Sequence, residues 1–173
     1  MNKKFLLIFA VITSASIYFS SMVFAEDISK LYEDSFALET KGDYTGALNK
    51  VLQIIRADAK DYTAYLRAGW LCYMTGDNTT SISNYKRAAS LAQEAVEPLL
   101  GMSLAMMAAK QWSEAEKTLS TILQRDESSY LANSRLAYVY FCQGKYSQAK
   151  EKYEVVLRFY PSDLDMKLGV GIS

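Results

Sequence analysis

KGDYTGALNKVLQI, residues 41–54, is followed by TGDNTTSISNYKRA at 75–88, AKQWSEAEKTLSTI at 109–122 and QGKYSQAKEKYEVV at 143–156. Each copy begins 34 residues after the previous one. A fixed period of that length is the signature of a helical repeat array. It holds for markers of quite different chemistry. Gly42, Gly76, Lys110 and Gly144 occupy the turn, and Tyr44, Asn78, Trp112 and Tyr146 follow it. Small residues come next at Ala47, Ser81, Ala115 and Ala149, then Val51, Tyr85, Leu119 and Tyr153, then Ile54, Ala88, Ile122 and Val156. Upstream of each turn stand Ser35, Gly69, Ser103 and Ala137, all small. Small beside large at three or four positions is how one helix face interlocks with a neighbour at short range.

Local chemistry predicts an all-α chain. No stretch alternates with period two for long enough to argue a strand. Beyond the first 25 residues the only prolines are Pro98 and Pro161. Pro98 falls where a first helical turn begins, a place that tolerates a missing N–H. Ser113 with Glu116 reads as a capping box. Lys41-Gly42-Asp43, Thr75-Gly76-Asp77 and Gln143-Gly144-Lys145 read as tight links in which glycine takes the left-handed conformation that ends a helix. The repeats are placed at 28–61, 62–95, 96–129 and 130–163, and 164–173 begins a fifth in phase.

In KGDYTGALNKVLQI, QWSEAEKTLSTIL and GKYSQAKEKYEVVLRFYP the chain resembles the tetratricopeptide repeat family. The resemblance runs from about Ile28 to Asp163. It implies helix–turn–helix units stacked as a right-handed αα-superhelical solenoid, with the first helix of each pair on the concave side. Lys110 departs from the usual turn glycine, Ser81 from alanine, and only the fourth repeat ends in the expected proline, Pro161. The chaperone-tail-binding members of the family clamp a terminal carboxylate with lysine, arginine and asparagine. Here the corresponding first-repeat positions hold Tyr32 and Phe36, so the resemblance does not extend to that subset.

Residues 1–25 follow a different logic. Lys3 and Lys4 precede an apolar run from Phe5, and Val23-Phe24-Ala25 offers a cleavage site before Glu26-Asp27. This is the layout of a secretory signal peptide cleaved after Ala25. The competing reading is an uncleaved anchor, because Phe5 to Ala25 is just long enough to cross a bilayer. Thr13, Ser14, Ser16, Ser20 and Ser21 weaken that reading. Export with no second hydrophobic span implies a periplasmic or secreted protein, with no membrane span after cleavage.

Loss of Lys3 and Lys4 leaves 17 of the 19 basic residues against 19 acidic ones. That balance argues against a nucleic-acid partner, which needs clustered cations to neutralise phosphates. Cys72 and Cys142 stand on first helices two repeats apart. Packed helix axes are already ~8–10 Å apart, and a disulfide needs Cα atoms within ~7 Å. Both are expected to be free, half-buried side chains.

There is no histidine. The usual general base and the commonest metal ligand are therefore missing. Two distant cysteines cannot build a thiolate zinc site, and no phosphate-cradling glycine loop occurs. Glu114, Glu116, Asp126 and Glu127 fall at helix starts and links, where the helix dipole or solvation explains them. A non-catalytic protein without cofactor is expected, acting by binding.

Carried over position by position, the family resemblance puts Tyr32, Phe36 and Glu39 on the concave face in the first repeat. Leu66, Trp70, Tyr73 and Met74 follow in the second, and Leu100, Leu104 and Met107 in the third. Leu131, Ser134, Tyr138 and Phe141 complete it. A face this apolar on a soluble protein generally has to be covered. Three readings stay open: a groove for an apolar or amphipathic segment of another protein, a surface for a homo-oligomer or scaffold, or residues that are largely internal. As a partner-binding adaptor, the protein would use Trp70 and Tyr73 as central anchors.

Overall fold

The computed structural model describes residues 27–173. The expected leader at 1–25 and its Ala25 cleavage site lie outside the described residues. Among the described residues every regular element is an α-helix. The chain divides into two compact units, one ending at Ala59 and one spanning Lys60–Ser173.

In the first unit, α1 is helical through residues 27–40 and α2 spans Tyr44–Ala57. Ser35 on α1 and Ala47, Val51 and Ile54 on α2 are fully buried. Lys50 Nζ donates to Asp34 Oδ2 at 3.0 Å, tying α2 to α1. That bond and a second from Lys30 hold the Asp34 carboxyl below its ordinary range.

The second unit continues with α3 (Tyr62–Met74), α4 (Asn78–Leu91), α5 (Glu97–Ala108), α6 (Trp112–Leu123), α7 (Tyr130–Cys142), α8 (Tyr146–Phe159) and α9 (Leu164–Ile172). Each of these helices packs on the next. In addition α3 touches α5 and α5 touches α7, whereas no pair of second helices is in comparable contact. First helices that approach each other more closely than second helices put themselves on the inside of a curve. Within this unit the architecture is a helical solenoid whose inner face is made by α3, α5 and α7, with α9 packed on α8.

The turns between first and second helices repeat one device. Asp77 N–H donates to Cys72 O at 2.9 Å and Gly76 N–H to Tyr73 O at 3.0 Å. These two bonds close a helix around a left-handed residue. The same pair recurs from Gly42 and Asp43, from Lys110 and Gln111, and from Gly144 and Lys145. Gly42, Gly76 and Gly144 have φ of 79°, 83° and 73°, and Lys110 is forced into the same region at 58°. Asp43 and Asp77 cap α2 and α4 through their carboxylates. The expected capping box at Ser113 and Glu116 does not form: α6 begins two residues earlier, at Trp112, and Gln111 makes no side-chain cap bond. Glu116 pairs instead with Lys145 Nζ at 2.9 Å. Pro98 sits in the first turn of α5 as expected.

Between helices the small–large pattern is literal. Ser35, Gly69, Ser103 and Ala137 are buried, as are Ala47, Ser81, Ala115 and Ala149. Ser81 Oγ, buried on α4, donates to Gly69 O at 2.7 Å. The Tyr85 ring lies between α3 and α5. A Cβ built on Gly69 would come within 2.8 Å of that ring, and one on Gly101 within 2.3 Å. Gly169 on α9 stands in the same relation to Tyr153 on α8, at 2.7 Å. Gly101 and Gly169 therefore have a packing reason that their spacing alone does not disclose. Cys72 is buried and its thiol is pushed up mainly by burial. Both cysteines are free, but Cys142, the last residue of α7, is exposed, not half-buried.

Two stability predictions follow from these contacts. Gly101→Ala forces a methyl into a ring that Gly69 prevents from retreating, and should cost ~1–3 kcal/mol by overpacking. Tyr85→Leu in the same chain should recover part of that loss, so urea unfolding of the double-mutant cycle should be clearly non-additive. Lys110→Gly should stabilise by ~0.5–1 kcal/mol, because relief of a left-handed non-glycine residue exceeds the added unfolded-state freedom. An unchanged or lowered thermal midpoint would show that Lys110 bears no strain.

Candidate functional site: the inner face of the solenoid

First helices present to the inner face the residues that neither pack on their own second helix nor enter the turn. In the second unit that row begins with Leu66, Trp70, Tyr73 and Met74 on α3. Trp70 is 36% exposed while Leu66, Tyr73 and Met74 are half-buried. Trp70 and Tyr73 stack, with ring centroids 5.8 Å apart at 30°. On α5, Leu104 and Met107 are half-buried, as is Leu100. On α7, Leu131 and Tyr138 are exposed, Tyr138 by 48%, and Tyr138 meets Trp112 edge-on at 6.3 Å. In the 34-residue register Leu168 follows Ser134 and Ile172 follows Tyr138, so α9 prolongs the apolar row with Leu168 63% exposed.

Not all expected site residues are free for a partner. Phe141 is half-buried against the core shared by α5 to α9, and its ring meets Tyr146 edge-on at 5.5 Å. Leu100 and Met107 also pack on that core. Tyr32 and Phe36 belong to the first unit, where Phe36 is exposed and Tyr32 half-buried.

One inner-face residue escaped the sequence reading. Arg135, on α7, directs Nη1 to the main-chain oxygen of Leu100 at 2.7 Å and to Ser103 Oγ at 3.3 Å. Its neighbours in electrostatic range are Tyr73 and Tyr85, with burial pulling the guanidinium below its ordinary range. Burial likewise pushes the Tyr85 phenol up to about 12, against the opposing pull of Arg135. No carboxylate pairs with Arg135 among the described residues. The signal was available: α3 and α7 each carry one charged residue, Arg67 and Arg135, two repeats apart in the same phase.

Away from this face, Asn133 is buried where earlier repeats carry Leu31, Tyr65 and Leu99. Its Nδ2 donates to Glu127 O at 2.8 Å and Ser129 O at 3.0 Å, bracing the link before α7. Beside it lies a cavity of about 320 Å³ that also touches Leu123, Lys152, Arg158 and Phe159. Among the expected carboxylates, Asp126 accepts from Ser128 and Glu116 from Lys145, so both serve local structure. Among the described residues no group of three or more His, Cys, Asp or Glu side chains could hold a metal ion. No helix there is long and apolar enough to cross a membrane.

Consecutive helix pairs stacked with an apolar inner face define the class of helical-repeat proteins. The sequence profile of the tetratricopeptide repeat family matches residues 37–96 and 100–163, and the chain belongs to that family. Solved structures share its fold at low identity. A crystal structure of MamA superposes with TM-score 0.78 at 20% identity, over 86% of this chain and 81% of that one. A tetratricopeptide repeat protein from Parabacteroides merdae ATCC 43184 gives TM-score 0.77 at 17% identity. It covers 83% of this chain, which spans only 57% of that protein. YrrB, described as a repeat protein with an unusual peptide-binding site, gives 0.71 at 15% over 86% and 80% of the two chains. No curated protein matches the sequence.

Proposed function

We propose that this protein is a non-catalytic adaptor of the bacterial cell envelope that holds an apolar or amphipathic segment of another protein against its inner face. One observation carries the reading: first-helix aromatics, Trp70 and Tyr138 foremost, stay exposed at the same phase of the repeat although α3 packs on α4 and α5, and α7 on α5, α6 and α8. Such residues supply most of the energy at protein interfaces. A preformed helical scaffold loses little entropy when it binds. The peptide-binding description of YrrB is consistent with a groove of this kind. The envelope location rests on the leader-like residues 1–25.

Two experiments test the two parts. A photo-cross-linking side chain placed at Trp70 or Tyr138 in living cells should give a discrete protein adduct, and one at Lys86 on α4 should not. Adducts from Lys86 alone, or equally from all three positions, would sink the inner-face reading. An adduct at twice the chain's own mass would instead identify a second copy as the occupant. N-terminal sequencing of the exported protein should begin at Glu26-Asp27. A retained Met1 would replace the periplasmic assignment with an anchored one.

A further inference from the structure

Resting on that inner-face reading, we infer that Arg135 selects the partner: the segment bound there carries an internal acidic side chain, flanked on both sides by apolar residues. The inner face of the second unit is otherwise almost without charge. Helix α3 contributes one cation, Arg67, α5 only Glu97 at its first residue, α7 only Arg135, and α9 Asp165 and Lys167. Lysines and glutamates crowd α6 and α8 instead.

A guanidinium in this position is costly to bury without a counter-ion. Arg135 has partial compensation from Leu100 O and Ser103 Oγ, both reached by the single nitrogen Nη1. The guanidinium has five N–H donors in a planar fork, so this leaves donors suited to a carboxylate. Ser103 Oγ also donates to Leu100 O at 2.8 Å, which fixes the pair of acceptors and with it the orientation of the fork. Tyr73 and Tyr85 lie in electrostatic range, and the Tyr85 phenol, pushed up by burial, supplies no negative charge at neutral pH.

The acidic group is internal to its chain because the apolar row does not end at Arg135. It extends through Leu66 and Trp70 on one side and through Tyr138, Leu168 and Ile172 on the other. A segment covering that row passes over Arg135 in the middle. A chain terminus would instead call for several convergent cations, and only one is present at this point.

The test is selection of a phage-displayed random peptide library, closed at both ends by constant sequence, on the purified protein. Enriched peptides should hold one Asp or Glu between apolar residues. Changing that acid to its amide in a synthetic copy should weaken binding about tenfold. The Arg135→Met protein, checked for helical circular dichroism, should bind acid and amide peptides alike. Arg135→Lys should keep a reduced preference, which covers the case in which the methionine variant does not fold. Apolar peptides enriched without any acidic preference, yet lost on Trp70→Ala, would overturn the role of Arg135 and leave the inner-face reading intact. Failure to enrich any peptide sensitive to Trp70→Ala would overturn both.

Discussion

Everything in this molecule depends on helices approaching each other across a row of side chains with almost no volume. Ser35, Gly69, Ser103 and Ala137 let each first helix lie close to its own second helix, and Ala47, Ser81, Ala115 and Ala149 return the favour. Close approach converts into stability because dispersion and burial both act over short distances and vanish across a gap. It also satisfies groups that the approach would otherwise strand. Gly69 can offer its carbonyl to Ser81 Oγ at 2.7 Å because neither residue holds the helices apart.

Such packing dictates where other chemistry can go. The second helices α6 and α8 face water on the side away from the first helices and carry the charge, with Glu114, Glu116 and Lys117 on one and Lys150, Glu151 and Lys152 on the other. The first helices carry leucine, methionine and aromatic residues at the positions that do not pack on their second helices. Exposed apolar residues scattered singly need no explanation, but a contiguous strip does. Its contrast with the charged second helices is what supports the proposed binding on the inner face.

Much of this was legible in the sequence, for a physical reason. A left-handed turn residue, a small contact residue and a large one are each demanded by local geometry, so they recur at the period and announce the fold. Lys110 was assigned to the turn by spacing alone, and it adopts φ 58° there against its own preference. What spacing could not supply were relations between residues of different helices. Gly101 takes its role from the Tyr85 ring, on the preceding helix, which occupies the space of its missing side chain. The capping motif at Ser113 and Glu116 was locally plausible, but the turn starts α6 at Trp112 and Lys145, on α8, takes the Glu116 carboxylate. Phe141 was placed by its register on the inner face, yet its half-buried ring also serves the core.

The wedges and the cations of the inner face are linked by the same geometry. Where a second helix carries tyrosine, at Tyr85 and Tyr153, the following first helix carries glycine, at Gly101 and Gly169. In that register Leu119 is the counterpart of Arg135. Leu119 is fully buried, and Arg135 crosses from α7 to Leu100 on α5. Arg135 thus takes, after Leu119, the phase that glycine takes after each tyrosine wedge.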